Sequence, residues 1–396
     1  MPKVMQKSSD SSQEKDTTYD PTLEYIAEVL NLNKDDENLW GYKLCDEPEF
    51  NEWGYTTPTA PVGTRDLPAM YRTYLQNANG HIGYFTLAVS VGESYTGDKH
   101  PDNKEEKYMY RYWDYLKALN EKFHPSMLSV DIYPVFSEET PPIIKRTYYG
   151  YIEIIADFSA QYNIPFWMYM LSTQFTIYDR GSTTVYKKYP LPTEGVLLFQ
   201  AMTALAYGFQ GLVFWTYTLN RNQMQTDQTT GKEILSEEYL LAPYMDEDGT
   251  LSVIWSNCAA VIPVIKEFGK ILLGAKFIEA GHVYGPDYVS DPIPETKQFS
   301  TPIGCVSKAT ATGRGVVITR LDKGGEKYVA IVNHSPYDNE DFTLTISPRC
   351  KWTEYRMMDI SDGYLTVTEH EREPQEKTIS LYLQPGCMML IKYEKD

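Results

Sequence analysis

Several things are scarce in this chain, and each scarcity removes a class of function. No apolar run reaches the length needed to span a bilayer. The five cysteines, Cys45, Cys258, Cys305, Cys350 and Cys387, include no Cys-x-x-Cys pair, and none falls near a histidine at metal-ligand spacing. The six histidines are scattered and read as surface or capping residues. There is no Gly-x-Gly-x-x-Gly turn, no phosphate loop and no Gly-x-Ser-x-Gly elbow, so nothing points to a nucleotide site or a serine nucleophile. Positive charge is short as well. With 36 Lys and Arg against 54 Asp and Glu, the net charge is −18, which argues against nucleic acid or an anionic membrane surface as a partner.

Tyrosine is abundant, with 33 copies among 396 residues. Tyr and Trp join a flat apolar face to a polar tip, which suits sugar rings with their apolar C–H faces and hydroxyl edges. Most of these tyrosines simply pack the rim of a core. The first 19 residues, rich in Ser, Lys, Gln and Asp, read as a disordered or weakly attached segment.

From Asp20-Pro21, a capping pair that opens a helix, apolar strands alternate with amphipathic helices. Strands are predicted at about 40–45, 82–88, 127–135, 164–171 and 211–217, recurring about every 40 residues. Helices are predicted near 67–77, 106–123, 147–161, 194–207 and 251–273. Such alternation means an α/β fold with a parallel sheet covered by helices. A doubly wound sheet is one solution. A (β/α) barrel over 20–277 fits better, because strand after strand ends in polar or aromatic groups. From about 278 to 396 short strands with turn signals such as Gly324-Gly325 and Pro385-Gly386 predict an all-β sandwich.

In parallel sheets, chemistry sits at the C-terminal strand ends. The run Gly41-Tyr42-Lys43-Leu44-Cys45-Asp46-Glu47-Pro48-Glu49 ends a buried strand in two acids and a proline that stops it. Glu47 is the candidate general acid, and Asp46 is an orienting or sugar-binding group. Asp131, closing Leu128-Ser129-Val130-Asp131, is the candidate second carboxylate; it also suits a loop cap or a ligand for a substrate hydroxyl. Glu93 is a weaker alternative. Tyr133, Trp215 and Tyr217, and Gln174 among the polar residues, are candidates for binding sugar; core packing is the competing role for Trp215. A protonated acid beside a second carboxylate is the requirement of glycoside hydrolysis, and that chemistry needs no cofactor.

The Gly41–Glu49 stretch, the run Ala201–Tyr217 and the closing segments Tyr328–Asn333 and Leu381–Ile391 together resemble a clan-A glycoside hydrolase barrel, near the family 42 β-galactosidases, with a C-terminal β-sandwich. The resemblance implies a (β/α)8 barrel, a carbohydrate substrate, and a secreted or periplasmic setting for the full-length protein. It sets Gly41–Glu49 as the fourth barrel strand, so the first three have no counterpart. That implies an N-terminally truncated chain, or a reduced barrel that closes on a second copy. Two departures stand out. The family commonly has Asn where Asp46 stands. Its nucleophilic glutamate would fall at Ser172-Thr173-Gln174, where there is no acid, and Asp179 is the next carboxylate. A non-catalytic, glycan-binding barrel is therefore the competing expectation.

Overall fold

The computed structural model describes residues 23–48, 67–88, 104–136, 143–144, 147–179, 181–215, 223–227, 229–239, 250–288, 297–357 and 364–395. In chain order the α/β part holds α1 (Leu23–Asn33), β1 (Gly41–Asp46), α2 (Leu67–Asn77), β2 (Ile82–Ala88), α3 (Lys104–Phe123), β3 (Leu128–Asp131), β4 (Val135–Phe136), β5 (Ile143–Ile144), α4 (Tyr148–Tyr162), β6 (Phe166–Leu171), β7 (Phe175–Tyr178), β8 (Val185–Tyr189), α5 (Glu194–Ala206), β9 (Gly211–Trp215), β10 (Gln223–Thr226), β11 (Glu233–Tyr239) and α6 (Val253–Leu272). Only strands follow: β12 (Lys276–Tyr284), β13 (Val306–Ala311), β14 (Gly315–Lys323), β15 (Glu326–Asn333), β16 (Glu340–Ile346), β17 (Cys350–Met357), β18 (Leu365–His370), β19 (Lys377–Leu383) and β20 (Met388–Lys395).

The central sheet has the order β1-β2-β3-β6-β9 with every pair parallel. Sequential parallel strands with a helix after each give a half-barrel, and among the described residues no strand closes it. Strand β2 is buried from its second residue onward and β6 at all but one position, as expected of a parallel sheet covered on both faces. Gly211 opens β9 because the indole of Trp167 lies across it; a Cβ there would sit 2.5 Å from that ring. Trp167 in turn stacks on Trp40 at 4.8 Å.

Helix α5 shows how the layers join. Thr193 caps it by accepting from the Val196 N–H at 3.3 Å. From Val196 to Ala206 every residue is buried, because one side packs on β6 and another on β14 and β15. A helix that is apolar all round belongs between two layers. One continuous hydrophobic core accordingly runs from Cys45 through Phe85, Met168, Leu197 and Phe199 to Val329 and Leu390.

The β part consists of a six-stranded sheet, β12-β14-β15-β20-β17-β18, and a three-stranded sheet, β13-β16-β19. The turn before β14 wraps the buried carboxylate of Glu340, which accepts from the N–H groups of Thr312, Gly313 and Gly315 at 3.0, 2.9 and 2.8 Å. Gly315 takes a φ of 105° there, which only glycine adopts freely.

A buried polar network lies between α4 and this β part. His282 on β12 places Nε2 3.0 Å from Glu153 Oε1 and Nδ1 3.0 Å from His334 Nε2. The Tyr207 hydroxyl is 3.2 Å from the same Glu153 oxygen.

The structure corrects several expectations. The strand expected to run to Val135 ends at Asp131, and Val135–Phe136 pairs instead with β5 in a separate ribbon. His282 and His334, read as surface or capping residues, are buried and meet each other. A four-stranded antiparallel sheet, β10-β11-β7-β8, was not foreseen. It grows from the C-terminal ends of β6 and β9. The Asp20-Pro21 helix start, Glu93 and Tyr217 lie outside the described residues.

Candidate active site

The site is built on the ends of β1 and β3, which flank β2 in the sheet. Glu47, the first residue past β1, takes the left-handed conformation with φ 47°, uncommon for a residue with a Cβ. It is held there by its own N–H, which donates to Thr86 O of β2 at 2.8 Å. Pro48 follows, buried, and its carbonyl accepts from the Tyr115 hydroxyl at 2.8 Å. The turn directs the Glu47 side chain to Asp131, the last residue of β3, with the two carboxyls within hydrogen-bonding reach.

Asp131 is half-buried, and its Oδ1 is shut off from solvent without a hydrogen-bond partner among the described residues. Burial, then the neighbouring carboxyls of Glu47 and Asp46, push its carboxyl well above the usual range. Two carboxyls this close resist ionising together, so Asp131 holds its proton beyond the range of an isolated carboxylate. Asp46 is exposed, and Lys43 Nζ lies 2.6 Å from its Oδ1.

An aromatic wall adjoins the pair. Phe175 of β7 and Tyr189 of β8 stack at 4.3 Å. Tyr133 meets Tyr189 edge-on at 5.8 Å and lies 5.8 Å from the half-buried ring of Trp215, the last residue of β9. Trp215 is thus both packed and partly open. Burial, followed by the Asp131 carboxyl, holds the Tyr133 hydroxyl well above its usual range, so it remains a donor. The unforeseen four-stranded sheet supplies half of this wall.

Gln174 is half-buried in the link from β6 to β7, and among the described residues no interaction ties it to Glu47 or Asp131. Gln200 was missed. From α5 its side chain accepts from Leu171 N–H at 2.8 Å and donates to Leu171 O at 3.2 Å, completing the end of β6. A single amide within the apolar run Val196–Met202 was the available signal. No group of described His, Cys, Asp or Glu residues has the arrangement of a metal site, and no described helix is long and apolar enough to cross a membrane.

No protein-family model matches the chain, and no curated protein matches it. Solved structures that align with it include a glucosidase from Croceicoccus marinus, at 11% identity over 94% of this chain and 75% of that one, TM-score 0.34. A rhamnosidase from Novosphingobium sp. PP1Y aligns at 8% identity over 83% of this chain, with a TM-score of 0.42; the chain spans only 38% of its length. A xyloglucanase of glycoside hydrolase family 44 from Paenibacillus polymyxa aligns at 8% identity over 94% of this chain and 69% of that one, TM-score 0.37. At TM-scores below 0.5 such likeness says nothing about the side chains of this site.

Proposed function

We propose that the protein hydrolyses glycosidic bonds in an oligo- or polysaccharide, with Glu47 as general acid. The observation that carries this is the contact of Glu47 with a half-buried, proton-retaining Asp131 at the C-terminal edge of a parallel sheet, beside the rings of Tyr133 and Trp215. A proton held by Asp131 beyond the usual carboxylate range is one the pair can offer a leaving oxygen. Asp131 keeps that proton available. Tyr133 and Trp215 carry the sugar face, and Asp46, oriented by Lys43, takes a hydroxyl. The resemblance of the Gly41–Glu49 and Ala201–Tyr217 stretches to family 42 β-galactosidases makes β-galactosides the first substrates to try. The test is Glu47→Gln assayed for release of reducing ends across β-galactosides and β-glucans. Turnover falls at least about 100-fold with the melting temperature kept. Undiminished turnover refutes the role of Glu47.

One observation favours a second reading, that of a glycan-binding protein without turnover. Among the described residues no carboxylate lies where the resemblance sets the nucleophile, after β6. Saturable binding by calorimetry with no bond cleaved on long incubation distinguishes it.

A further inference from the structure

Helix α3 reaches the acid pair through two tyrosines one turn apart. Tyr112 and Tyr115 are both fully buried, and their rings stack with centroids 5.8 Å apart and 13° between planes. The Tyr115 hydroxyl donates to Pro48 O at 2.8 Å, so α3 grips the chain immediately after Glu47. The grip matters because Glu47 stands in the left-handed region, and the direction of its Cβ follows from that backbone turn. One anchor comes from β2, through the Glu47 N–H to Thr86 O bond. The other comes from Tyr115. Were the second released, the turn would relax toward extended backbone and carry the Glu47 carboxyl away from Asp131. Tyr112 buttresses the arrangement: its ring is met edge-on by Tyr151 at 5.3 Å and stacks against Tyr115 on its other contact.

We propose that Tyr115 is a positioning residue that holds Glu47 in its left-handed turn against Asp131, with Tyr112 stacked behind it as support. This rests on Glu47 and Asp131 acting as a proton-sharing pair, but its test does not require the pair to cleave a glycan.

The experiment is Tyr115→Phe in the full chain, read by carbon-13 NMR titration of the Asp and Glu side-chain carboxyls. Glu47→Gln and Asp131→Asn serve to assign the pair. Removing the hydroxyl separates the carboxyls, so the Asp131 midpoint falls by about one pH unit or more. Tyr42→Phe is the control; the Tyr42 hydroxyl is buried but, unlike that of Tyr115, has no hydrogen-bond partner among the described residues, and it lies toward the other end of β1. It leaves the pair unchanged. If Tyr115→Phe does not fold, 4-fluorophenylalanine placed at 115 fills the space of the hydroxyl but cannot donate to Pro48 O, and the midpoint then falls in a folded protein. An Asp131 midpoint that stays put in a folded Tyr115→Phe, or in the 4-fluorophenylalanine protein, overturns the proposal. Where a glycan is turned over, Tyr115→Phe lowers kcat about 10-fold or more and leaves KM within about twofold, because substrate contacts remain. A shifted titration with no hydrolysis by the parent protein keeps the positioning role and refutes the hydrolase.

Discussion

His282 Nδ1 lies 3.0 Å from His334 Nε2, with both rings buried at the seam between α4 and the β part. The other nitrogen of His282 faces Glu153, so three titratable groups share one dry interface. Burial pushes Glu153 up to about 8 and His282 down to about 3, and drives His334 well below its usual range.

These shifts bend the pH profile of stability in both directions. Glu153 stabilises fully below its unfolded value of 4.5, and that contribution is lost as pH rises through about 8. The histidines act oppositely: theirs is present above 6.5 and lost as pH falls. The expected melting temperature therefore rises to near pH 6.5 and then declines toward pH 8. Calorimetry on Glu153→Gln checks this, and the alkaline decline should flatten in that variant.

Gln200→Leu is expected to destabilise by about 2–4 kcal/mol, because it strands the N–H and C=O of Leu171 in a dry core. Urea unfolding measures it. Gln200→Glu should be no milder, since a buried carboxylate cannot donate to Leu171 O.

Glu47→Asn is expected to stabilise by about 1 kcal/mol, since Asn tolerates the left-handed region better than Glu. It also relieves the crowding of two carboxyls. A gain in melting temperature with loss of turnover would mark Glu47 as a residue retained at a cost to the fold.

Glu47→Gln should also bring the Asp131 titration down without returning it to the ordinary carboxylate range. The charge of Glu47 raises it, but burial is the larger cause and remains. Carboxyl-resolved NMR reads this directly.

The βα rhythm was legible because its signals are local. Buried parallel strands such as Ile82–Ala88 are apolar nearly throughout, and helices such as Leu67–Asn77 show one apolar stripe. The strand-end rule drew Asp46, Glu47 and Asp131 together before any geometry was known. It could not give their separation, which depends on a left-handed turn that glutamate seldom makes. Strands β8 (VYKKY) and β10 (QMQT) escaped notice because they are largely exposed and do not alternate. The cluster of Glu153, Tyr207, His282 and His334 left no trace in spacing; it exists only because α4 and β12 pack.

A scan of every single substitution would find its longest intolerant stretch at α5. A surface helix offers a solvent side on which random changes are absorbed. This 13-residue helix is enclosed from Val196 to its end, so for those residues no turn of the wheel faces water. Only Glu194 and Gly195 lie outside that enclosure, and Gly195 has backbone against it: a Cβ there would meet Pro336 O at 2.3 Å.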